Sequence, residues 1–308
     1  MLAVVNTPGG PEPVAIREVA EPEPLPNEAV VAVHAFSLNR GELRLFQVRP
    51  AGWRPGQDIA GVVIRAAADG SSPPAGTRIV ALCAWEGWAE RAAVPAQRIA
   101  AIADDVPFGA AAALPVAGLT ALRSLRHGVP LLGKRVLITG AAGGVGNLAV
   151  QLAVRSGARV TAIVGSAERA RILDGLGAVA VVTDIAEAAG RFALILEAAG
   201  GASLAAAIER VDHHGTVVMF GNSSGEPTSI DFRQFGEHQN ARLQAFHYFT
   251  SEPEPRFAPD LALLAGLVAD GSLKPRIAEH GWRDLNRVAA ELRDRQVPGK
   301  AVFHIDQK

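Results

Sequence analysis

The chain has 308 residues, of which 49% are hydrophobic and 20% charged, with a formal net charge of -1. This is the composition of a folded globular protein of about two domains, not of a disordered or polyelectrolyte chain. No basic run is present to neutralise phosphates, which argues against nucleic acid as a partner, and the lone Cys83 excludes an intrachain disulfide and any site built from several thiolates.

The first ten residues lack the basic start and sustained apolar core of a signal peptide. The uncharged stretch Val106 to Leu122 is shorter than a membrane span and is interrupted by Pro107, Pro115 and Gly118. These features predict a soluble, cytoplasmic protein without a membrane partner.

In chain order, the first third carries short β-branched runs between prolines and glycines: Ala29 to Val33, Ile59 to Ile64 and Arg78 to Leu82. That pattern predicts an antiparallel or barrel-like β domain. From Val136 the rhythm changes. Val136 to Ile138 reads as a buried strand, and Val145, Leu148, Ala149, Leu152 and Ala153 recur at helical spacing until Gly157. Strands follow at Val160 to Val164, Val179 to Val182, Phe192 to Leu196 and Thr216 to Phe220, with helices expected over Glu168 to Leu176 and Leu204 to Val211. Continuous apolar strands alternating with helices predict a doubly wound parallel sheet. Beyond the turn-rich Ser251 to Pro255 come helices around Leu261 to Ala269 and Leu285 to Arg293. A final strand, Ala301 to Ile305, is expected to return to the first domain.

Between the strand ending at Ile138 and the next helix stands Gly140-Ala141-Ala142-Gly143-Gly144-Val145-Gly146. A glycine turn opening a helix lets a pyrophosphate approach the backbone, where free N–H groups and the positive dipole end meet it. The alternative is a tight turn whose glycines serve helix packing alone. About 20 residues further on, a chain that reads NAD normally places an acid for the ribose 2′-hydroxyl. Here the segment is Val164-Gly165-Ser166-Ala167-Glu168-Arg169, in which Ser166 and Arg169 offer a hydroxyl and a positive charge to a 2′-phosphate. NADPH is therefore favoured over NADH, with Ser166 as a plain helix cap and Glu168 as a ribose ligand the competing readings.

With these motifs placed, the chain resembles the medium-chain dehydrogenase/reductase superfamily, and within it the zinc-independent quinone oxidoreductase-like branch. The carriers are Leu38 to Leu43, Pro55 to Val63, Gly87 to Glu90, Ala111 to Leu122, the glycine cluster, and Pro298 to Val302. The resemblance covers nearly the whole length. It implies an α/β protein with a GroES-like β-rich substrate domain (1–114 and 253–308), a Rossmann domain (115–252), and a cleft holding the nicotinamide. It also implies hydride transfer from NADPH to a quinone or an activated carbon–carbon double bond, commonly by a homodimer.

Zinc-dependent relatives use Cys and His ligands. This chain has Asn39 to Glu42 and Gln57-Asp58 at the corresponding places, and Cys83 alone rebuilds no site, so no zinc is expected. Without a Lewis acid, an already electron-poor conjugated acceptor is the fitting substrate.

The loop at Gly221, Asn222 and Ser223 follows the strand ending at Phe220, on the edge where doubly wound sheets bind ligands, and its backbone is expected to meet the nicotinamide carboxamide. The resemblance assigns Asn39 and Thr120 to positioning of nicotinamide and substrate, and Phe246, His247 and Tyr248 to the flank of the ring. A plain loop and a plain apolar strand are the competing readings of the 221–223 and 246–248 segments. Asn39 also reads as a buried turn amide, and Thr120 as a helix hydroxyl bonded to its own backbone. Asp58 matches a structural acid. Trp53, Trp85 and Trp88 offer an aromatic wall or a core. No general acid is identifiable, and water is left to serve as proton source. Two alternatives therefore stay open: an enoyl or enone reductase of secondary metabolism, and a non-catalytic NADPH-binding sensor.

Overall fold

The computed structural model describes residues 1–128, 130–231, 233, 236–248 and 257–306. They fall into two units, Met1–Leu119 with Arg256–Lys308, and Thr120–Pro255. The turn-rich segment read at 251–255, and with it the expected boundary at 252/253, lies outside the described residues.

The first unit opens with an antiparallel hairpin of β1 (Leu2–Asn6) and β2 (Val14–Glu18). Then come β3 (Glu28–Leu38), α1 (Arg40–Val48), β4 (Asp58–Arg65), β5 (Arg78–Leu82), β6 (Arg91–Pro95), β7 (Ile99–Ala101) and α2 (Phe108–Ala112). Helix α3 (Pro115–Leu125) contains the division at Leu119/Thr120.

The second unit holds β8 (Arg135–Ile138), α4 (Gly144–Arg155), β9 (Arg159–Ile163), α5 (Ala167–Ala170), β10 (Ala180–Val182), β11 (Phe192–Glu197), α6 (Gly201–Ile208), β12 (Val211–Met219) and β13 (Arg242–Ala245). All its strand pairs are parallel, in the order β10-β9-β8-β11-β12-β13. The chain winds outward from β8 in one direction and from β11 in the other, so β8 and β11 flank the topological switch point. Its apolar strands are buried because helices cover the sheet: Val136, Leu137, Ile138, Leu194, Ile195 and Leu196 are all inaccessible.

The chain then completes the first unit with α7 (Ala258–Ala269), β14 (Ile277–Gly281), α8 (Leu285–Arg293) and β15 (Lys300–His304). β15 pairs antiparallel with β3, giving the order β14-β15-β3-β4-β5-β7 with β6 on β3. The return is fixed by aromatic packing. Phe36 on β3 stacks at 5.2 Å on Phe303 of β15 and at 5.1 Å on Trp88. Each of these rings is fully buried, which contributes about 1.5–3 kcal/mol per side chain.

Two local expectations are corrected, and one strand carried no expectation. The helix read over Glu168 to Leu176 ends at Ala170 and continues as a single 3₁₀ turn to Leu173, because Gly175 (φ 76°) and Gly177 (φ 83°) turn the chain away. Val211, read as the end of a helix, instead begins β12, whose pairing with β11 shifts register between Phe192 and Leu194. β14 carries no strong strand signal and is held by its parallel pairing with β15. No described helix is long and apolar enough to cross a membrane.

Candidate active site

In the second unit, the glycine cluster, residues 165–169, the loop after β12 and the segment after β13 all follow the carboxyl ends of parallel strands, the edge on which open α/β sheets bind ligands. Thr139, just past β8, joins the switch point. Its hydroxyl donates to the buried Glu197 carboxylate (3.0 Å) and accepts from the Ala198 amide (2.9 Å). Glu197 also accepts from the amides of Ala199 and Gly200 and from Ser203 Oγ at 2.9–3.0 Å, which fixes the start of α6. Neither residue was singled out from sequence, where a lone Glu after an apolar strand has no distinguishing pattern.

The glycine cluster is shaped by close approach. Gly143 is the N-cap of α4 and supplies no side-chain cap, so the first-turn amides of Gly144, Val145 and Gly146 have no intrahelical acceptor. A Cβ on Gly146 would lie 2.3 Å from the Gly140 carbonyl oxygen and 2.6 Å from Ala141 Cα, while Gly140 itself has φ 60°. The backbone turn therefore folds directly against the first turn of the helix. A helix of twelve residues thus presents an uncapped N-terminus at the switch point, and its donors fit an anion.

At the end of β9, Gly165 is exposed and a Cβ there would meet nothing within 4 Å. Ser166 is the N-cap of α5, its Oγ accepting from the Arg169 amide at 3.3 Å, so the capping alternative is present. The hydroxyl hydrogen stays available to an anion, because the cap uses Oγ as acceptor. Gly221 packs its Cα face against the Ala198 carbonyl. The Asn222 side chain works within its own turn: Oδ1 accepts from Ser224 Oγ (2.9 Å) and the Gly225 amide (3.2 Å), and Nδ2 donates to the Glu226 carbonyl (3.3 Å). The Ser223 amide donates to the Ala198 carbonyl at 3.0 Å, tying this loop to the end of β11. Phe246 and Tyr248 are buried. The Phe246 ring meets His127 edge-on at 5.2 Å, and the Tyr248 carbonyl accepts from Arg123 Nη1 at 3.4 Å. Thr120 is buried on α3.

In the first unit, Asn39 caps α1 and belongs to a buried polar group. Its Nδ2 donates to Asp58 Oδ2 (2.8 Å), its Oδ1 accepts from Lys300 Nζ, and its backbone N–H donates to Glu42 Oε2 (2.8 Å). Asp58 Oδ2 further accepts from Lys300 Nζ (3.0 Å) and from Ser37 Oγ (2.7 Å), whose hydroxyl also lies 2.8 Å from the Ala112 carbonyl; Oδ1 accepts from the Val116 amide (2.8 Å). Asn39 is thus oriented at both ends of its amide, and the capping box with Glu42 engages it further. Lys300 and Glu42 escaped the sequence reading as members of this group. The Asn39-x-x-Glu42 spacing of a capping box was the available signal for Glu42, whereas Lys300 lies 242 residues from Asp58.

Burial, reinforced by the charge of Asp58, pushes the Glu42 carboxyl from 4.5 up to about 8. The folded state therefore keeps a proton that the unfolded chain releases above its ordinary value. Stability falls as pH rises from about 4.5 to about 8, by up to roughly 1.4 kcal/mol per pH unit. Glu42→Gln mimics the protonated form. Its melting temperature relative to wild type is expected to rise steadily between pH 5 and pH 8 in thermal melts; a difference independent of pH would contradict the assignment.

The comparisons with known proteins agree with this architecture. Residues 144–265 match the family model described as zinc-binding dehydrogenase. The quinone oxidoreductase of Salmonella typhimurium is 28% identical over 319 residues, covering 96% of each chain. A segment of NorB, a spectinabilin polyketide synthase system protein of Streptomyces orinoci, is 34% identical over 281 residues, or 87% of this chain and 12% of that protein. The structure of Escherichia coli quinone oxidoreductase complexed with NADPH superposes with a TM-score of 0.87 at 23% identity, covering 99% of this chain and 100% of the other. With its GroES-like and Rossmann folds, the chain is an oxidoreductase similar along nearly its whole length to quinone oxidoreductases of the medium-chain dehydrogenase/reductase type.

Proposed function

We propose that the protein transfers hydride from NADPH to a quinone or a similar electron-poor conjugated acceptor, without zinc. The observation that carries the reading is the uncapped N-terminus of α4 at the switch point, beside a β9 terminus with Ser166 and Arg169 where an NAD-reading acid would stand. NADPH is the ligand named for the Escherichia coli neighbour, and when bound it supplies the hydride.

On this reading, the amides of Gly144, Val145 and Gly146 hold the pyrophosphate against the turn at Gly140 and Gly143. Ser166 and Arg169 hold the 2′-phosphate beside the open position at Gly165. The loop at Gly221, Asn222 and Ser223 meets the nicotinamide carboxamide through its backbone, and Phe246 and Tyr248 give the ring an apolar flank. Asn39 and Thr120 orient nicotinamide and acceptor, and the Asp58 and Lys300 partners of Asn39 keep it from rotating. The protein's contribution is alignment and exclusion of water, with no dedicated proton donor.

Metal independence is supported by the residues themselves. Asn39 and Asp58 stand where the resemblance implies the catalytic ligands of zinc-dependent relatives, both bonded to Lys300, and burial pushes the Cys83 thiol up to about 12. Among the described residues no three His, Cys, Asp or Glu side chains form a group able to hold a metal. The family-model match spans 144–265 and so includes none of Asn39, Asp58 and Cys83. A homodimer is supported by β13, which among the described residues is the last strand of its sheet and is exposed along its whole length, an edge suited to pairing with another strand.

A second reading is reduction of an activated carbon–carbon double bond, which the same cofactor-binding residues would serve. Arg169→Ala discriminates the cofactor assignment. It is expected to weaken NADPH about 10- to 100-fold, the loss of a charge-assisted contact, with less than a threefold effect on NADH, by fluorescence titration. Equal losses for both cofactors would remove the 2′-phosphate assignment.

A further inference from the structure

The loop after α1 and the loop after β5 carry a group that the cofactor reading does not use. Trp53 and Trp85 meet edge to face, with ring centroids 5.1 Å apart, and both are half-buried. The exposed Arg49 places its guanidinium carbon 5.5 Å from the Trp53 ring centre and 5.9 Å from that of Trp85. No carboxylate pairs with Arg49 among the described residues.

The group is held rigidly from below. The buried Asn6 donates its side-chain amide to the Arg49 carbonyl (2.8 Å) and its backbone N–H to the Trp53 carbonyl (2.8 Å), and accepts from the Gly52 amide (2.9 Å). The Arg54–Glu86 ion pair at 2.9 Å ties the two loops together. A guanidinium beside indoles keeps its five N–H donors, because the rings accept through their π faces and not through lone pairs. Such a cation binds an oxyanion at its edge while the neighbouring indoles stack on a flat ring. The local charge agrees: Arg54 is paired with Glu86, and Arg44 and Arg49 add two exposed positive charges on the segment 40–54, whose one acid, Glu42, is buried.

We propose that Arg49, Trp53 and Trp85 form a recognition site for a planar conjugated compound bearing a carboxylate or sulfonate, so that the acceptors of this oxidoreductase are acidic aromatics. The assignment of these compounds as acceptors rests on the quinone reading above, whereas the binding site stands on its own geometry. No residue of the site takes part in hydride transfer. It selects the acceptor.

The test uses the full chain and two probes. Calorimetric titration with 2-naphthalenesulfonate and with uncharged 2-naphthol is expected to show at least tenfold tighter binding of the sulfonate, reduced at least tenfold by Arg49→Gln and partly restored in Arg49→Lys. In NADPH-dependent turnover, the ratio of kcat/KM for 1,2-naphthoquinone-4-sulfonate to that for 1,4-naphthoquinone is expected to fall at least tenfold in Arg49→Gln. Arg44→Gln, which removes an equal charge nearby, is expected to change that ratio less than threefold. Circular dichroism melts confirm that each variant folds. Sulfonate binding that depends on Arg49, with neither quinone turned over, supports the site and overturns the quinone reading. Turnover of both quinones with an unchanged ratio, an equal effect of Arg44→Gln, or no preference for the sulfonate overturns the site.

Discussion

Asp58→Asn is expected to lower the unfolding free energy by about 3–5 kcal/mol. Asp58 is fully buried and accepts from Ser37, Asn39, Lys300 and the Val116 amide. Neutralising it leaves the Lys300 ammonium, whose side chain is 6% exposed, without a counter-charge in a low-dielectric site. Lys300→Met strands Asp58 in the same way and is expected to cost a similar amount. The double variant removes both charges and is expected to recover part of the loss, since the pair is worth less than either stranded ion. Urea unfolding measures this as a shift in midpoint at constant slope. Additive losses in the double variant would show that the two groups do not form a coupled pair. Because Asn39 is held at both ends by these partners, either single variant is also expected to lower kcat for the proposed reaction.

Gly146→Val is expected to weaken NADPH at least 100-fold and to destabilise the second unit by about 1–3 kcal/mol. The cause is steric. The first added carbon would fall 2.3 Å from the Gly140 carbonyl oxygen, so the turn must move away from α4 and the first-turn amides lose their arrangement. Gly165→Ala is the contrasting case, because nothing lies within 4 Å of its added carbon; its stability is expected to stay within about 0.5 kcal/mol of wild type. Calorimetric titration with NADPH and thermal melts of the two variants make the comparison. Wild-type affinity in Gly146→Val would show that the pyrophosphate is not held at this turn.

What the sequence exposes follows from where its signals are local. The alternation of apolar strands and helices from Val136 to Met219 is legible because strands covered on both faces must be continuously apolar, and the glycine cluster is legible because close backbone approach demands it. The helix after β9 was overextended because Gly175 and Gly177, which turn the chain at positive φ, stand only at the far end of an otherwise helical pattern. β14, with Glu279 and His280 among its five residues, is a strand only by virtue of β15 beside it. The polar group around Asn39 shows the limit most clearly. Asn39 and Asp58 were visible through resemblance, but their orientation depends on Lys300, which only the three-dimensional return of the last strand brings to them. In the same way Arg49, Trp53 and Trp85 are separate surface residues in the sequence and become a site only when Asn6 and the Arg54–Glu86 pair hold their loops.

The most direct test of the account is titration of the purified protein with NADPH and NADH, followed by cofactor oxidation at 340 nm with quinones and with enones. Preferential binding of NADPH and quinone-dependent oxidation, unaffected by metal chelators, is the predicted result. Oxidation with enones alone would transfer the assignment to carbon–carbon double-bond reduction. Turnover abolished by chelation and restored by zinc, or NADPH bound with no turnover of either class, would contradict it.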